Sequence, residues 1–207
     1  SVDMIYLDSP NNPTGFQFSN KDLEKLIKSF SGPVIIDEAY GEFSNSSVLR
    51  LVKKYPNLIL VKTLSKAFGL AGLRVGYMIA DKKFTEIFSN VIQYPYPLNT
   101  LAIECGILAL EKSKQITSIF ENIKKQRTRV IQNLKKYDAF DVFDSNANFV
   151  LFDAKGADTR VYNALIEQGI SIRKLGKLAS HKGCLRVTIG TSDMNSKFLL
   201  AIRDLLE

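Results

Sequence analysis

Four short apolar runs, residues 2–7, 34–36, 58–61 and 75–80, punctuate the first eighty residues, and none of them alternates apolar with polar positions. A strand that is apolar on both faces has to be covered on both. Runs of this kind separated by helical patterns predict a parallel sheet with helices on either side. Each run ends in polar residues. The first helix is marked by Ser19 as an N-cap with Asp22 three residues on, by Leu23, Leu26, Ile27 and Phe30 at helical spacing, and by the stop Gly32-Pro33. Residues 48–54 and 82–91 read as further helices, and Pro95 and Pro97 then break the chain.

The texture changes in the second half. Ile103, Ile107, Leu110, Ile116, Ile119, Phe120, Ile123, Val130 and Leu134 give one long helical pattern over 98–137. Strands are expected at 139–143, 148–152, 170–173 and 185–189, and helices at 159–168 and 193–207. Three parts follow: 1–97 as part of a larger α/β domain, 98–137 as a connecting helical segment, and 138–207 as a small α+β domain.

With 207 residues the chain can bury a core without disulfides or a structural metal. No apolar run is long enough for a transmembrane helix, and no basic region followed by an apolar run marks a signal peptide. Cys105 and Cys184 lack partner spacing, which fits a reducing cytoplasm, and the single histidine, His181, leaves no zinc ligand set. No metal is expected. Asn45-Ser46-Ser47 matches a glycosylation sequon that has no secretory context. The net charge of +7 suits anionic partners. A nucleic-acid role is disfavoured, because the lysine-rich long helix has no interleaved aromatics and reads as a solvated face.

In open parallel sheets, ligands sit beyond the carboxyl ends of the strands. There this chain places Asn11 to Gly15, then Asp37, Glu38 and Tyr40, then Thr63, Ser65 and Lys66, with Arg74 leading into the fourth run. Singly, each has a plainer reading as a turn residue, a helix cap or a surface charge. Together they predict an anion-binding site with a candidate reactive lysine. A carboxylate ending a buried strand calls for a cationic partner, and a lysine near an arginine in a partly dry pocket should have a lowered pKa.

The motifs Ser9-Pro10-Asn11-Asn12-Pro13-Thr14-Gly15, Ile36-Asp37-Glu38-Ala39-Tyr40 and Thr63-Leu64-Ser65-Lys66-Ala67-Phe68-Gly69-Leu70-Ala71-Gly72-Leu73-Arg74-Val75-Gly76-Tyr77 resemble, in letters, order and separation, the fold-type I PLP-dependent aminotransferases. Glu42-Phe43, Tyr55-Pro56-Asn57-Leu58, Ser145-Asn146-Ala147-Asn148-Phe149 and Cys184-Leu185-Arg186-Val187 make the histidinol-phosphate aminotransferase family the nearest resemblance. The resemblance implies a fold of mainly parallel large-domain sheet plus a small α+β domain, and pyridoxal 5′-phosphate (PLP) as cofactor. Lys66 then resembles the Schiff-base lysine, and Asp37 the partner of the pyridinium nitrogen. Asn12 and Tyr40 resemble the pair on the phenolic oxygen, and Thr63, Ser65 and Arg74 the phosphate grip. Asn148 borders the substrate, and Arg173 and Arg186 match two arginines that clamp a substrate phosphate.

The implied reaction is transamination from histidinol phosphate to 2-oxoglutarate in histidine biosynthesis, by a cytoplasmic homodimer. Transamination of an aromatic amino acid and decarboxylation of threonine phosphate are alternatives. A non-catalytic binding module is a more distant one. The first run opens at residue 2, and family chains carry a long segment before the Asn-Pro-Thr-Gly turn. The chain is therefore expected to begin mid-fold, as the carboxyl-terminal part of an aminotransferase, with an exposed sheet edge and without the helix N-terminus that receives the cofactor phosphate.

Overall fold

The computed structural model describes residues 2–207. The chain divides into two compact units. One comprises the residues up to Asn11 together with Gln17–Phe120, and the other Asn12–Phe16 together with Glu121–Glu207.

In the first unit, strands β1 (Ile5–Asp8), β2 (Val34–Asp37), β3 (Leu58–Thr63) and β4 (Gly76–Ile79) lie in that order in one sheet. The first three are parallel, with Asp8 opposite Asp37 and Asp37 opposite Val61, so their carboxyl ends share one rim. β4 runs antiparallel to β3, with Thr63 opposite Gly76. Apolar periodicity is blind to strand direction, but the connection is not. Residues 64–75 hold only a 3-10 turn at Ala71–Leu73, whereas a parallel return usually crosses the sheet face by a full helix.

Helix α1 (Asn20–Ser29) starts as the sequence predicts. Ser19 Oγ accepts the Asp22 N–H at 3.1 Å and donates to the Asp22 carboxylate at 2.6 Å. The helix buries Leu23 and Ile27 among Val34, Ile36, Leu58 and Leu60 of the sheet, with Val48 and Val52 beside them. Each such aliphatic side chain, fully buried, contributes about 1.5–3 kcal/mol. Asn57 stitches the same region, its amide donating to the carbonyls of Ile27, Phe30 and Gly32 at 3.1, 2.9 and 3.3 Å. Helix α2 (Leu49–Val52) is shorter than expected, and α3 (Lys82–Ile87) continues into a π-turn at Phe88–Ile92.

The long pattern over 98–137 is two helices, α4 (Thr100–Glu111) and α5 (Ser113–Leu134). Lys112 leaves helical geometry with ψ near 3°, and Ser113, a type that favours helix starts, opens the second. The division between the units falls between Phe120 and Glu121.

The second unit holds strands β5 (Asp141–Val142), β6 (Phe149–Asp153), β7 (Arg173–Leu178) and β8 (His181–Thr188), ordered β5-β6-β8-β7 and antiparallel throughout. Helices α6 (Asp158–Glu167) and α7 (Ser192–Leu206) and the end of α5 cover the sheet. Val130, Leu134, Leu165, Phe198 and Ile202 meet Val150, Phe152 and Leu185 in a continuous core, in which the Phe140 and Phe152 rings pack edge to face at 5.2 Å. β7 begins where the expected strand 170–173 ends. Its Arg173, Lys174 and Lys177 mask it as loop in the sequence, and they suit it to the edge of the sheet, where charge blocks further pairing.

Candidate functional site

The rim of the first unit gathers six of the expected residues. Asp37 is the last residue of β2. Tyr40 follows it, buried, and leads into a 3-10 turn at Gly41–Phe43. Thr63 ends β3, Ser65 and Lys66 lie on the loop beyond, and Arg74 closes that loop before β4. The Lys66 ammonium stands over the Tyr40 ring, 5.4 Å from its centre, within cation–π range. Thr63 Oγ1 donates to the Val75 carbonyl at 3.2 Å and accepts the Ser65 N–H at 3.1 Å, which ties the lysine loop to the strand that follows it.

Two expectations need correction. Among the described residues Asp37 has no cationic partner. Its carboxylate accepts the Ala39 N–H at 2.8 Å on Oδ1 and the Tyr6 hydroxyl on Oδ2. Neutral donors therefore do the work assigned to a cation, at a strand end that is only half-buried. Nor do Lys66 and Arg74 sit in a dry pocket: both are exposed. Arg74 adopts left-handed backbone geometry at φ 57° and turns its guanidinium to the Ala71 carbonyl at 3.2 Å. A non-glycine residue held there costs of order 1–3 kcal/mol, which marks the loop end as strained.

Tyr6 was not foreseen. Its only sequence signal is a hydroxyl between the aliphatic Ile5 and Leu7 of β1. Burial, the hydrogen bond to Asp37 and the charges of Asp37 and Asp8 push its pKa up to about 12. The ordinary value, which the unfolded chain keeps, is about 10. The neutral phenol is thus favoured by folding. Its stabilising contribution is complete below pH ~10 and is lost as the pH rises through about 12. Tyr6→Phe is expected to flatten the fall of melting temperature across that interval, and an unchanged alkaline profile would count against the contact.

The second unit carries the other four residues. Arg173 and Arg186 are directly opposite each other on β7 and β8, so both project from one face of the sheet. Like charges in that position repel. The Arg186 guanidinium donates to Asn12 Oδ1 and lies over the Phe149 ring at 4.7 Å, while its Nε is buried with no hydrogen-bond partner among the described residues. Asn148 precedes β6, and its carbonyl accepts the Ile189 N–H at 2.8 Å.

The turn holding Asn12 is tied to the Asn148 segment. Gly15 has φ 73° and its carbonyl accepts the Asn146 N–H at 2.8 Å. A Cβ there would stand 2.2 Å from Ser145 Oγ, so only glycine allows this approach. Arg127, buried, donates to the Ala147 carbonyl at 2.8 Å and fixes the same segment, with burial lowering its pKa.

The donor sets fit the cofactor that the motifs imply. Asp37 carries only neutral donors and can take a cationic ring N–H. The Ser65 hydroxyl makes no hydrogen bond among the described residues, and Arg74 is exposed for a phosphate. Lys66 offers a primary amine. Two opposed arginines, one with a buried N–H that has no hydrogen-bond partner among the described residues, suit a dianion.

Asp141, Asp153 and His181 also come together in the second unit. Burial works to raise the Asp153 pKa, but N–H donors from Lys155, Gly183 and Lys182 outweigh it and the net shift is downward. With His181 Nδ1 at 3.2 Å as well, and Asp141 paired to Lys155 at 3.2 Å, these carboxylates are already engaged. The cluster reads as structural. No helix among the described residues is long and apolar enough to cross a membrane.

The family described as "Aminotransferase class I and II" matches residues 1–202. A histidinol-phosphate aminotransferase of Flavobacterium psychrophilum is 40% identical over 204 residues, covering 98% of this chain and 58% of that protein. One from Thermoanaerobacter pseudethanolicus is 36% identical over 203 residues, covering 98% of this chain and 57% of that protein. The chain thus spans somewhat over half the length of these relatives. Among solved structures, the histidinol-phosphate aminotransferase of Clostridium acetobutylicum superposes with a TM-score of 0.88 at 29% identity, covering 99% of this chain and 64% of that one. The L-threonine-O-3-phosphate decarboxylase of Porphyromonas gingivalis gives a TM-score of 0.86 at 26% identity, covering the same shares.

Proposed function

This chain belongs to the class I and II aminotransferases, and we propose that the protein uses PLP to move an amino group from a phosphorylated amine, histidinol phosphate, to 2-oxoglutarate. The observation that carries the substrate assignment is the cross-strand pair Arg173 and Arg186, two cations on one face with a buried N–H unspent.

When bound, the cofactor supplies an aldehyde for amine exchange and a ring that delocalises the electron pair left at the substrate's α-carbon. Asp37 would hold the proton on the ring nitrogen. Thr63, Ser65 and Arg74 would hold the cofactor phosphate, and Asn12 and Tyr40 would meet the phenolic oxygen. The Lys66 amine would take the proton from the substrate's α-carbon, acting as the general base of the site. Arg173 and Arg186 bind the substrate phosphate bidentately, and Asn148 borders the same end.

A second reading, decarboxylation of a phosphorylated amino acid, draws on the likeness to the threonine-phosphate decarboxylase, and the arginine pair suits it equally well. One assay separates the two. The intact protein with PLP is given histidinol phosphate and 2-oxoglutarate, and separately threonine phosphate. Glutamate from the first mixture, and no carbon dioxide from the second, is the expected result. Carbon dioxide from threonine phosphate without glutamate formation would replace the first reading by the second.

A further inference from the structure

Behind the rim lies a buried group of charges to which the reaction assigns no task. Glu38, almost fully buried, accepts the Val48 N–H at 2.7 Å, the Ser47 hydroxyl at 2.7 Å and the Lys62 ammonium at 3.3 Å. The same ammonium reaches Glu42 Oε1 at 3.0 Å, while Glu42 Oε2 is buried without a hydrogen-bond partner among the described residues. Burial works to lower the Lys62 pKa, but the charges of Glu42 and Glu38 outweigh it and the pKa is raised. Lys62 therefore stays an ammonium.

The placement of these three groups is the informative part. Glu38 lies two residues before Tyr40 and Glu42 two residues after it, and one cation from β3 holds both. Lys62 is itself the residue before Thr63. Gly41 is what lets the loop close. A Cβ at that position would stand 3.0 Å from Glu38 Cβ and 3.2 Å from Lys62 Nζ. The 3-10 turn adds only backbone bonds, from Gly41 N to the Glu38 carbonyl and from Phe43 N to the Tyr40 carbonyl, both of which any sequence could make. Two carboxylates gripping one buried ammonium depend on these side chains. They are costly to leave unpaired, so the arrangement resists sliding.

We propose that Glu38, Lys62 and Glu42 form a clamp that fixes Tyr40 between them, making Lys62 a positioning residue for the cofactor site. This rests on the reading that places Tyr40 and Lys66 against the cofactor. The clamp holds the Tyr40 ring where it faces the Lys66 amine and ties both to the end of β3.

The test compares Lys62→Met and Lys62→Arg in the intact protein, with Val150→Ala, a core substitution in the second unit, as a control for plain loss of stability. Three quantities are read: affinity for PLP, the pH midpoint of the bound cofactor's visible absorbance, and cofactor-free hydrogen exchange at the amides of Gly41, Phe43 and Ser44. Lys62→Met is expected to weaken PLP by about tenfold, the scale of one displaced hydrogen-bonding contact to the cofactor. It should also move the midpoint and speed exchange at those amides. Lys62→Arg restores most of each, and Val150→Ala lowers the melting temperature without moving the midpoint. Should Lys62→Met fail to fold, Glu42→Gln, which loosens one arm, decides by the same readouts. An unmoved midpoint and unchanged affinity, whatever happens to stability, would overturn the clamp. Borohydride reduction of the unsubstituted protein with PLP separates the two failures. An adduct at Lys66 with an unmoved midpoint sinks the clamp alone, and the lack of any adduct there sinks the site reading together with it.

Discussion

Lys66→Ala in the intact protein is expected to lower turnover by at least about 10⁴-fold, the upper range for a positioned proton-transfer group, because the same amine also serves as the nucleophile. Stability should hardly change. Lys66 is exposed and its side-chain ammonium faces the Tyr40 ring, while its backbone hydrogen bond to Gly69 survives the substitution, so the effect on folding should fall within about 0.5 kcal/mol. That separation of activity from stability is the signature of a residue that acts on the cofactor. Neighbouring lysines serve as controls. Lys82 and Lys83 are exposed on α3, and alanine at either should leave turnover as it was. Turnover within tenfold of the parent in Lys66→Ala would remove the lysine from the mechanism.

The second large effect lies at the other end of the substrate. Arg186→Met is expected to lower kcat/KM for the phosphorylated amine by about 100-fold or more, since a bidentate, charge-assisted contact is lost and not replaced. KM should carry most of that loss, because the phosphate is remote from the reacting carbon. Arg173, exposed at the edge of the sheet, should cost about tenfold when replaced by Met.

The pair also makes a prediction that runs against the usual sense of a mutation. With no anion present, Arg173→Met removes a like-charge neighbour directly opposite Arg186. The melting temperature should therefore stay level or rise. Inorganic phosphate should raise the melting temperature of the PLP-loaded parent by mass action and raise that of the PLP-loaded Arg173→Met variant less. Equal stabilisation of both proteins by phosphate would show that the anion binds elsewhere.

Much of this geometry was legible beforehand, for identifiable reasons. Continuous apolar runs revealed β1 to β3, and the capping pair Ser19 and Asp22 revealed α1, because both signals are local and strong. The rim residues followed from knowing that parallel strands end together. What stayed hidden depended on partners distant in sequence. The reversed direction of β4 goes with a link, 64–75, that holds no crossover helix, and leaves no trace in its own apolar pattern. β7 reads as polar loop because its charge is a property of the sheet edge, which sequence does not reveal. Lys62 breaks the apolar run of β3, yet nothing local says that Glu38 and Glu42 close on it. Asp37 signalled a need for compensation, and the compensation came as the Tyr6 hydroxyl from the neighbouring strand instead of a cation. In each case the missing information was the identity of a long-range neighbour.

The most direct measurement is reductive trapping. The intact protein is mixed with PLP, reduced with borohydride, digested and mapped by mass spectrometry. The account predicts one pyridoxyl group per chain, on Lys66. Labelling scattered over the surface lysines, or a single adduct at a lysine away from this rim, would contradict it.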